Sequence, residues 1–181
     1  MKSNRSIVGQ STGRPRGDFY PTPRLATLAL LSVEQFAGTV WEPACGDGAI
    51  SRVLEEHGHS VLSTDLVDRG YGTGNVDFLL DYRTRAANVV TNPPYSLGQA
   101  FVEHALGRTD AKVAMFLKLV FLEGQRRRRL FETSPLARVW VLSDRLALPR
   151  EGTPYTQRGM IAFAWFVWEH GYEGPPTLGW V

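Results

Sequence analysis

Asn92-Pro93-Pro94-Tyr95 closes the apolar run Asn88-Val89-Val90-Thr91, and no other segment of this 181-residue chain is as well equipped for chemistry. Two successive prolines hold the backbone extended and remove two N–H donors. Pro93 offers only its carbonyl for hydrogen bonding, while the Asn92 side chain carries both a donor and an acceptor. Tyr95 adds a flat aromatic face and a hydroxyl. Together the four residues form a rigid cup. It accepts two hydrogen bonds from one planar NH2 group and stacks on the ring beside it. An exocyclic amino group of a base, or a planar side-chain amide, has that shape.

A second constellation lies upstream. Trp41-Glu42-Pro43-Ala44-Cys45-Gly46-Asp47-Gly48-Ala49 reads as a strand, a tight glycine turn and the start of a helix. Glycines let the backbone approach a ligand and adopt positive φ. The helix N-terminus behind the turn favours negative charge, here a carboxylate. The G-x-G-x-x-G fingerprint is absent, so a nicotinamide cofactor is the weaker reading. Asp65 ends the next strand, where an acid would bind ribose hydroxyls. Asp77-Phe78 follows, an acid and a ring that could hold an adenine. Each has a plain alternative as a connecting turn, a strand end or a helix cap. Their succession in register with Asn92-Pro93-Pro94-Tyr95 is what points to a site.

The elements that position these residues alternate. A helix is predicted from Arg24 to about Phe36 and another over 49–57, with Gly58 where a C-cap belongs. Further helices are predicted over 99–106 and 123–133. Strands are expected over 39–42, 60–64, 88–91, 112–119, 138–142 and 160–168. This alternation predicts an α/β fold, a single Rossmann-like domain with a mainly parallel sheet covered on both faces. The last two strands, joined without a long helix, should add an antiparallel edge hairpin. Residues 1–17 read as a flexible basic arm. Residues 18–181 read as the catalytic domain, with no room for a separate target-recognition domain.

Composition narrows the class. A 43% hydrophobic and 21% charged composition is ordinary for a soluble globular protein. A net charge of +2 permits a nucleic-acid partner without demanding one. The single cysteine, Cys45, excludes an internal disulfide and suggests a reducing, cytoplasmic compartment. No apolar stretch is long enough to cross a membrane. Cys45 reads as small packing volume, and His57 and His59 as helix-end residues rather than metal ligands. Arg126 to Arg129 could track phosphates, but on a helix at most two of them share a surface. Trp165, Phe166 and Trp168 read as core. The polar loop Pro149 to Gly159, between the last two strands, holds Tyr155, Gln157 and Arg158, candidates for contact with a base or backbone.

The glycine turn, Asp65, Asp77-Phe78 and Asn92-Pro93-Pro94-Tyr95 together resemble the amino-methyltransferases that use S-adenosylmethionine. Their order is similar to that of DNA adenine-N6 methyltransferases of the alpha, gamma and Dam-like arrangement. Tyr20-Pro21-Thr22-Pro23, Leu122-Glu123-Gly124 before the arginines, and Ala164-Trp165-Phe166-Val167-Trp168 look like the small phage or prophage type. The resemblance implies a mainly parallel seven-stranded sheet of the class I methyltransferase kind and S-adenosylmethionine as cofactor. It implies that Glu42, Pro43, Ala44, Gly46 and Gly48 line the cofactor, that Asp65 takes the ribose, and that Asp77 and Phe78 take the adenine. Tyr20, Pro21 and Thr22 would close over the methionine end. Asn92 and the Pro93 carbonyl would hold the target NH2, with Pro94 completing the catalytic tetrapeptide, Asn92 also bordering the cofactor and Tyr95 stacked on the base. Tyr155, Gln157, Arg158 and Arg126 would contact substrate. The implied partner is DNA, duplex or single-stranded, methylated at adenine N6 in a short or relaxed context. Protein-glutamine N5 and RNA adenine-N6 methyltransferases share the tetrapeptide and remain open. A non-catalytic module has no use for an amine clamp.

Overall fold

The architecture is that of a computed structural model, which describes residues 19–144 and 161–181. In chain order the elements are α1 (Arg24–Val33), β1 (Val40–Glu42), α2 (Ser51–Glu56), β2 (Val61–Ser63), β3 (Ala86–Thr91), α3 (Gly98–Leu106), β4 (Thr109–Lys118), α4 (Gln125–Thr133), β5 (Leu136–Val141), β6 (Phe163–Glu169) and β7 (Thr177–Trp180). The strands form one seven-stranded sheet in the order β2-β1-β3-β4-β6-β5-β7. All run parallel except β6, which is antiparallel to both β4 and β5.

Alternation along the inner strands builds two cores, one on each face. Successive side chains of a strand point to opposite faces. Val113, Met115 and Leu117 of β4, with Ala164, Phe166 and Trp168 of β6, therefore enter one core, capped by Phe101, Val102 and Ala105 of α3 and Leu130 of α4. Ala114 and Phe116 of β4, with Phe163, Trp165 and Val167 of β6, enter the other, capped by Ala26 and Leu30 of α1 and Leu54 of α2. Trp165, Phe166 and Trp168 are fully buried, as their apolar run predicts. Burial of each such ring stabilises the fold by roughly 1.5–3 kcal/mol.

Two details depart from the sequence reading. The antiparallel pair β5–β6 does lie toward one side of the sheet, but β6 is inserted between β4 and β5. The outermost position belongs to β7, an unforeseen strand parallel to β5. The physical reason is the composition of β6. Its residues are apolar on both faces and would be exposed at an edge, whereas β7 is mostly exposed. The first helix also stops at Val33 rather than near Phe36. Glu34 is extended and its carboxylate turns into the sheet, where it accepts hydrogen bonds from Lys112 (2.7 Å), Trp140 (2.9 Å) and Arg138. Burial alone would raise the Glu34 pKa. Arg138, Lys112 and Trp140 outweigh it and hold the carboxyl below its ordinary value. Among the described residues no helix is long and apolar enough to cross a membrane.

Candidate active site

The C-terminal ends of β1, β2 and β3 open onto a cavity of about 190 Å³, the side on which ligands bind in open parallel sheets. Its floor is the turn after β1. Gly46 and Gly48 have φ of 57° and 86°, a left-handed backbone that explains both glycines. A Cβ on Gly46 would overlap the Phe19 ring, and one on Gly48 would lie 2.7 Å from the Tyr71 ring. The two glycines therefore shape the turn beneath aromatic rings, and Pro43, Ala44, Asp47 and Ala49 border the cavity in their place. The helix behind the turn begins at Ser51, not Ala49, and spans only six residues. Its first amide, Ser51 N–H, donates to Glu42 Oε2 at 2.8 Å, as does the Ser51 hydroxyl. The carboxylate site expected at this N-terminus is thus already filled by the chain's own Glu42.

The electrostatics of the floor are acidic. Glu42, Asp47, Asp65 and Asp77 all border the cavity. Burial raises the Glu42 carboxyl well above its ordinary range, and the nearby Asp65 and Asp47 charges push the same way, against the hydrogen bonds from Ser51. Asp65 is held rigidly: Oδ2 accepts from Gly46 N–H and Oδ1 from Val67 N–H, both at 2.8 Å. Each oxygen keeps a further lone pair for a ligand hydroxyl. Asp77 caps a 3-10 turn over Phe78–Leu80 by accepting from Leu79 N–H at 3.0 Å. Phe78 is a core ring, packed edge-on against Trp41 at 5.0 Å, with part of its surface on the cavity wall. Cys45 is buried and its thiol is pushed up to about 12, by burial first and then by the Glu42 and Asp65 charges. That excludes a thiolate nucleophile near neutral pH.

The tetrapeptide follows β3, and a strap from the N-terminal side of α1 locks onto it. Asn92 Nδ2 donates to the Tyr20 carbonyl and to Thr22 Oγ1, both at 3.0 Å. Thr22 is buried. The Tyr20 ring stacks on Tyr95 with centroids 6.1 Å apart and planes 27° apart. Phe19 lies under the Arg69 guanidinium, 4.1 Å from the ring centroid. With its NH2 fully committed to the strap, the Asn92 amide turns its oxygen the other way, and Oδ1 is a buried acceptor with no donor. Among the described residues no hydrogen bond occupies the Pro93 carbonyl either. Such an orphaned acceptor costs about 1–3 kcal/mol unless a ligand satisfies it. Lys118, at the end of β4, places Nζ 4.7 Å from the Tyr95 centroid, and Phe163 packs 5.9 Å from the same ring.

Of the residues singled out in the sequence, Tyr20, Pro21, Thr22, Glu42, Pro43, Ala44, Asp65, Asp77, Phe78, Asn92 and Pro94 converge on the cavity wall. Pro93 is buried, and Tyr95 stacks on Tyr20, but neither borders the cavity. Arg126 is exposed on the first turn of α4 and does not reach the cavity. Tyr155, Gln157 and Arg158, with the loop that carries them, lie outside the described residues, as does the basic arm. Sequence reasoning missed Phe19, Leu66, Val67, Arg69 and Leu97, which also line the cavity. Phe19 sits beside the predicted Tyr20 segment, and its aromaticity was a usable signal. The others come from connections with no periodicity to read. Among the described residues no cluster of His, Cys, Asp and Glu could hold a metal ion.

No family profile matches the sequence, and no characterised protein matches it at the sequence level. Solved structures do match in fold. A protein from Pyrococcus horikoshii assigned as an RNA methyltransferase superposes with a TM-score of 0.66 at 15% identity, over 88% of this chain and 91% of its own. A modification subunit assigned to a type I restriction enzyme of Vibrio vulnificus YJ016 gives 0.60 at 14% identity, over 94% of this chain. This chain spans only 46% of that subunit's length. Magnesium protoporphyrin IX methyltransferase from Synechocystis, solved with bound S-adenosylmethionine, gives 0.53 at 13% identity, over 80% of this chain and 76% of its own. The fold is therefore the Rossmann-like methyltransferase fold, with a mostly parallel seven-stranded sheet.

Proposed function

We propose that this chain is an S-adenosylmethionine-dependent N-methyltransferase that acts on the N6 amine of adenine in DNA, in a short or relaxed sequence context. The observation that carries the reading is the Asn92 amide. Its nitrogen is tied to Tyr20 and Thr22, and its buried oxygen lacks a donor at the end of a cavity floored by carboxylates. An NH2 group supplies the missing donor. The fold likenesses to methyltransferases support the same class, and the modification subunit among them favours DNA as acceptor.

The residues present fit the cofactor. S-Adenosylmethionine carries two cationic centres, the sulfonium and the amino group, which suit a floor bordered by Asp47, Asp65 and Asp77. Asp65 would hold the ribose, Asp77 and Phe78 would border the adenine, and the Phe19–Thr22 strap would cover the methionine end. When bound, the cofactor supplies a methyl group already activated by positive charge on sulfur. The chain's own task is orientation, which can lower a barrier by about 7–11 kcal/mol. Asn92 Oδ1 and the Pro93 carbonyl each accept one N–H of the target amine. Both bonds hold the nitrogen in place and strengthen as positive charge develops on it. Tyr95 stacks on the extruded base, offsetting the few kcal/mol spent on flipping it from a duplex.

The deciding experiment supplies radiolabelled S-adenosylmethionine with duplex DNA, single-stranded DNA, RNA and a release-factor protein in turn. Label at adenine N6 of DNA is the expected result. Label confined to RNA or to a glutamine amide would move the chain to one of the other N-methyltransferase classes.

A further inference from the structure

We propose that Lys118 grips a backbone phosphate beside the target base, and that this contact makes the site select a polynucleotide over a protein amide. The proposal rests on the amine-transfer reading given above. Lys118 is the last residue of β4, at the ligand-binding end of the parallel strands and next to β3, whose end supplies Asn92. Its Nζ lies 4.7 Å from the centroid of Tyr95, the ring on which a base would stack. It is half-buried, and among the described residues it has no carboxylate partner. Lys112 on the same strand is the contrast, with its ammonium bound to Glu34 at 2.7 Å. Among the described residues Lys118 has only an aromatic face, a weaker partner for an ammonium than a fixed anion.

The chemistry of transfer makes that lone charge significant. Methylation of a neutral amine puts positive charge on the nitrogen. An unneutralised ammonium against the adjoining ring opposes that charge, and at a half-buried position solvent and salt screen it less than on an open surface. A phosphate held by Lys118 cancels the opposition and fixes the nucleotide in register. A glutamine side chain brings no anion to do either. The surroundings continue the path for a polyanion. The chain leaves Lys118 through a 3-10 turn over Leu119–Leu122 into α4, where Arg126 and Arg129, three residues apart, are exposed. Among the described residues neither forms an ion pair. Arg127 is occupied differently: it donates to the Glu123 carbonyl and covers the Phe121 ring.

The test is a charge-neutral methylphosphonate walked one position at a time along an adenine-containing DNA strand, with Lys118→Met and Lys118→Arg beside the unaltered chain. In the unaltered chain one position flanking the target adenine should weaken binding by about tenfold, the scale of a lost hydrogen bond to a charged group. Lys118→Met should weaken binding of unmodified DNA by the same factor and be indifferent to that position. The slope of log affinity against log salt should fall by about 0.9 for duplex. Lys118→Arg should restore the sensitivity, and calorimetry should show cofactor affinity unchanged in both variants. Were no single position to matter in the unaltered chain, the phosphate contact would be refuted without recourse to any variant. DNA methylation with an unchanged salt slope in Lys118→Met would refute Lys118 alone and leave the amine-transfer reading intact. Label on protein amide instead of polynucleotide would overturn the selectivity claimed for Lys118, and label on no acceptor would sink the reading beneath it.

Discussion

At the scale of single residues the site divides between groups that are satisfied and acceptors that are not. Asp65, Asp77 and Glu42 all have donors from their own backbone surroundings. Among the described residues Asn92 Oδ1 and the Pro93 carbonyl have none, which makes Asn92 the side chain whose loss should cost turnover most. Asn92→Ala should reduce methyl transfer by 100-fold or more, on the order of 2.7–4 kcal/mol for removing one transition-state hydrogen-bonding group. Cofactor affinity should fall as well, because Asn92 Nδ2 also anchors the strap, and single-turnover rates at saturating cofactor beside calorimetry separate the two effects. Near-normal turnover would remove Asn92 from the clamp. Glu42 makes a prediction in pH. Its folded-state pKa lies well above the ordinary 4.5, because burial disfavours the charged form. The folded protein therefore retains a proton that the unfolded chain has released. Stability from this group is fully present below about pH 4.5 and declines as pH rises toward the folded value. Glu42→Gln keeps an acceptor for Ser51 and removes the ionisation. It should raise the melting temperature at pH 8 more than at pH 5, and thermal scans at the two pH values read the difference directly.

At the scale of elements the informative unit is the strap before α1 against the glycine turn after β1. Neither holds its shape alone. The strap is irregular backbone, fixed by Asn92, by the Tyr20–Tyr95 stack and by Phe19 over Gly46. Gly46→Ala should act on both partners at once. A left-handed residue other than glycine costs about 1–2 kcal/mol, and the new methyl group must also displace Phe19. The expected result is a lower melting temperature with a weakened affinity for S-adenosylmethionine. A variant with intact cofactor affinity would show that the strap does not seal the cavity.

At the scale of the whole molecule, the specificity expected of the proposed transfer follows from which side chains stand near the ligand-binding end. Base identity is read by hydrogen bonds at base edges, each good bidentate pair worth about 1–3 kcal/mol, whereas phosphate contacts carry no sequence information. Among the described residues the cations without an ion pair near the ligand-binding end include Arg69, Lys118, Arg126 and Arg129, all suited to phosphate. Methylation should therefore occur in a very short or degenerate context, with binding that weakens steeply as salt rises. Sequencing of methylated DNA checks this. Modification confined to one long recognition site would reveal a reading element elsewhere in the protein.

Much of this was legible without coordinates. The fold class was written in the alternation of apolar runs, because period and length distinguish strands from helices locally. Gly46 and Gly48 were legible as well, because the left-handed turn they serve is local, and Asn92, Asp65 and Asp77 were singled out by residue type and do border one cavity. Tertiary structure alone decided what depends on distant partners. The place of β6 inside the sheet followed from two cores competing for its two apolar faces. The exclusion of a carboxylate from the short helix α2 came from Glu42 folding back onto Ser51. The direction of the Asn92 amide was set by Tyr20 and Thr22, some seventy residues earlier in the chain. Lys118 was invisible in the sequence for the same reason. A lysine ending a strand acquires meaning only when the ring beside it belongs to the proposed clamp and, among the described residues, no carboxylate comes within reach.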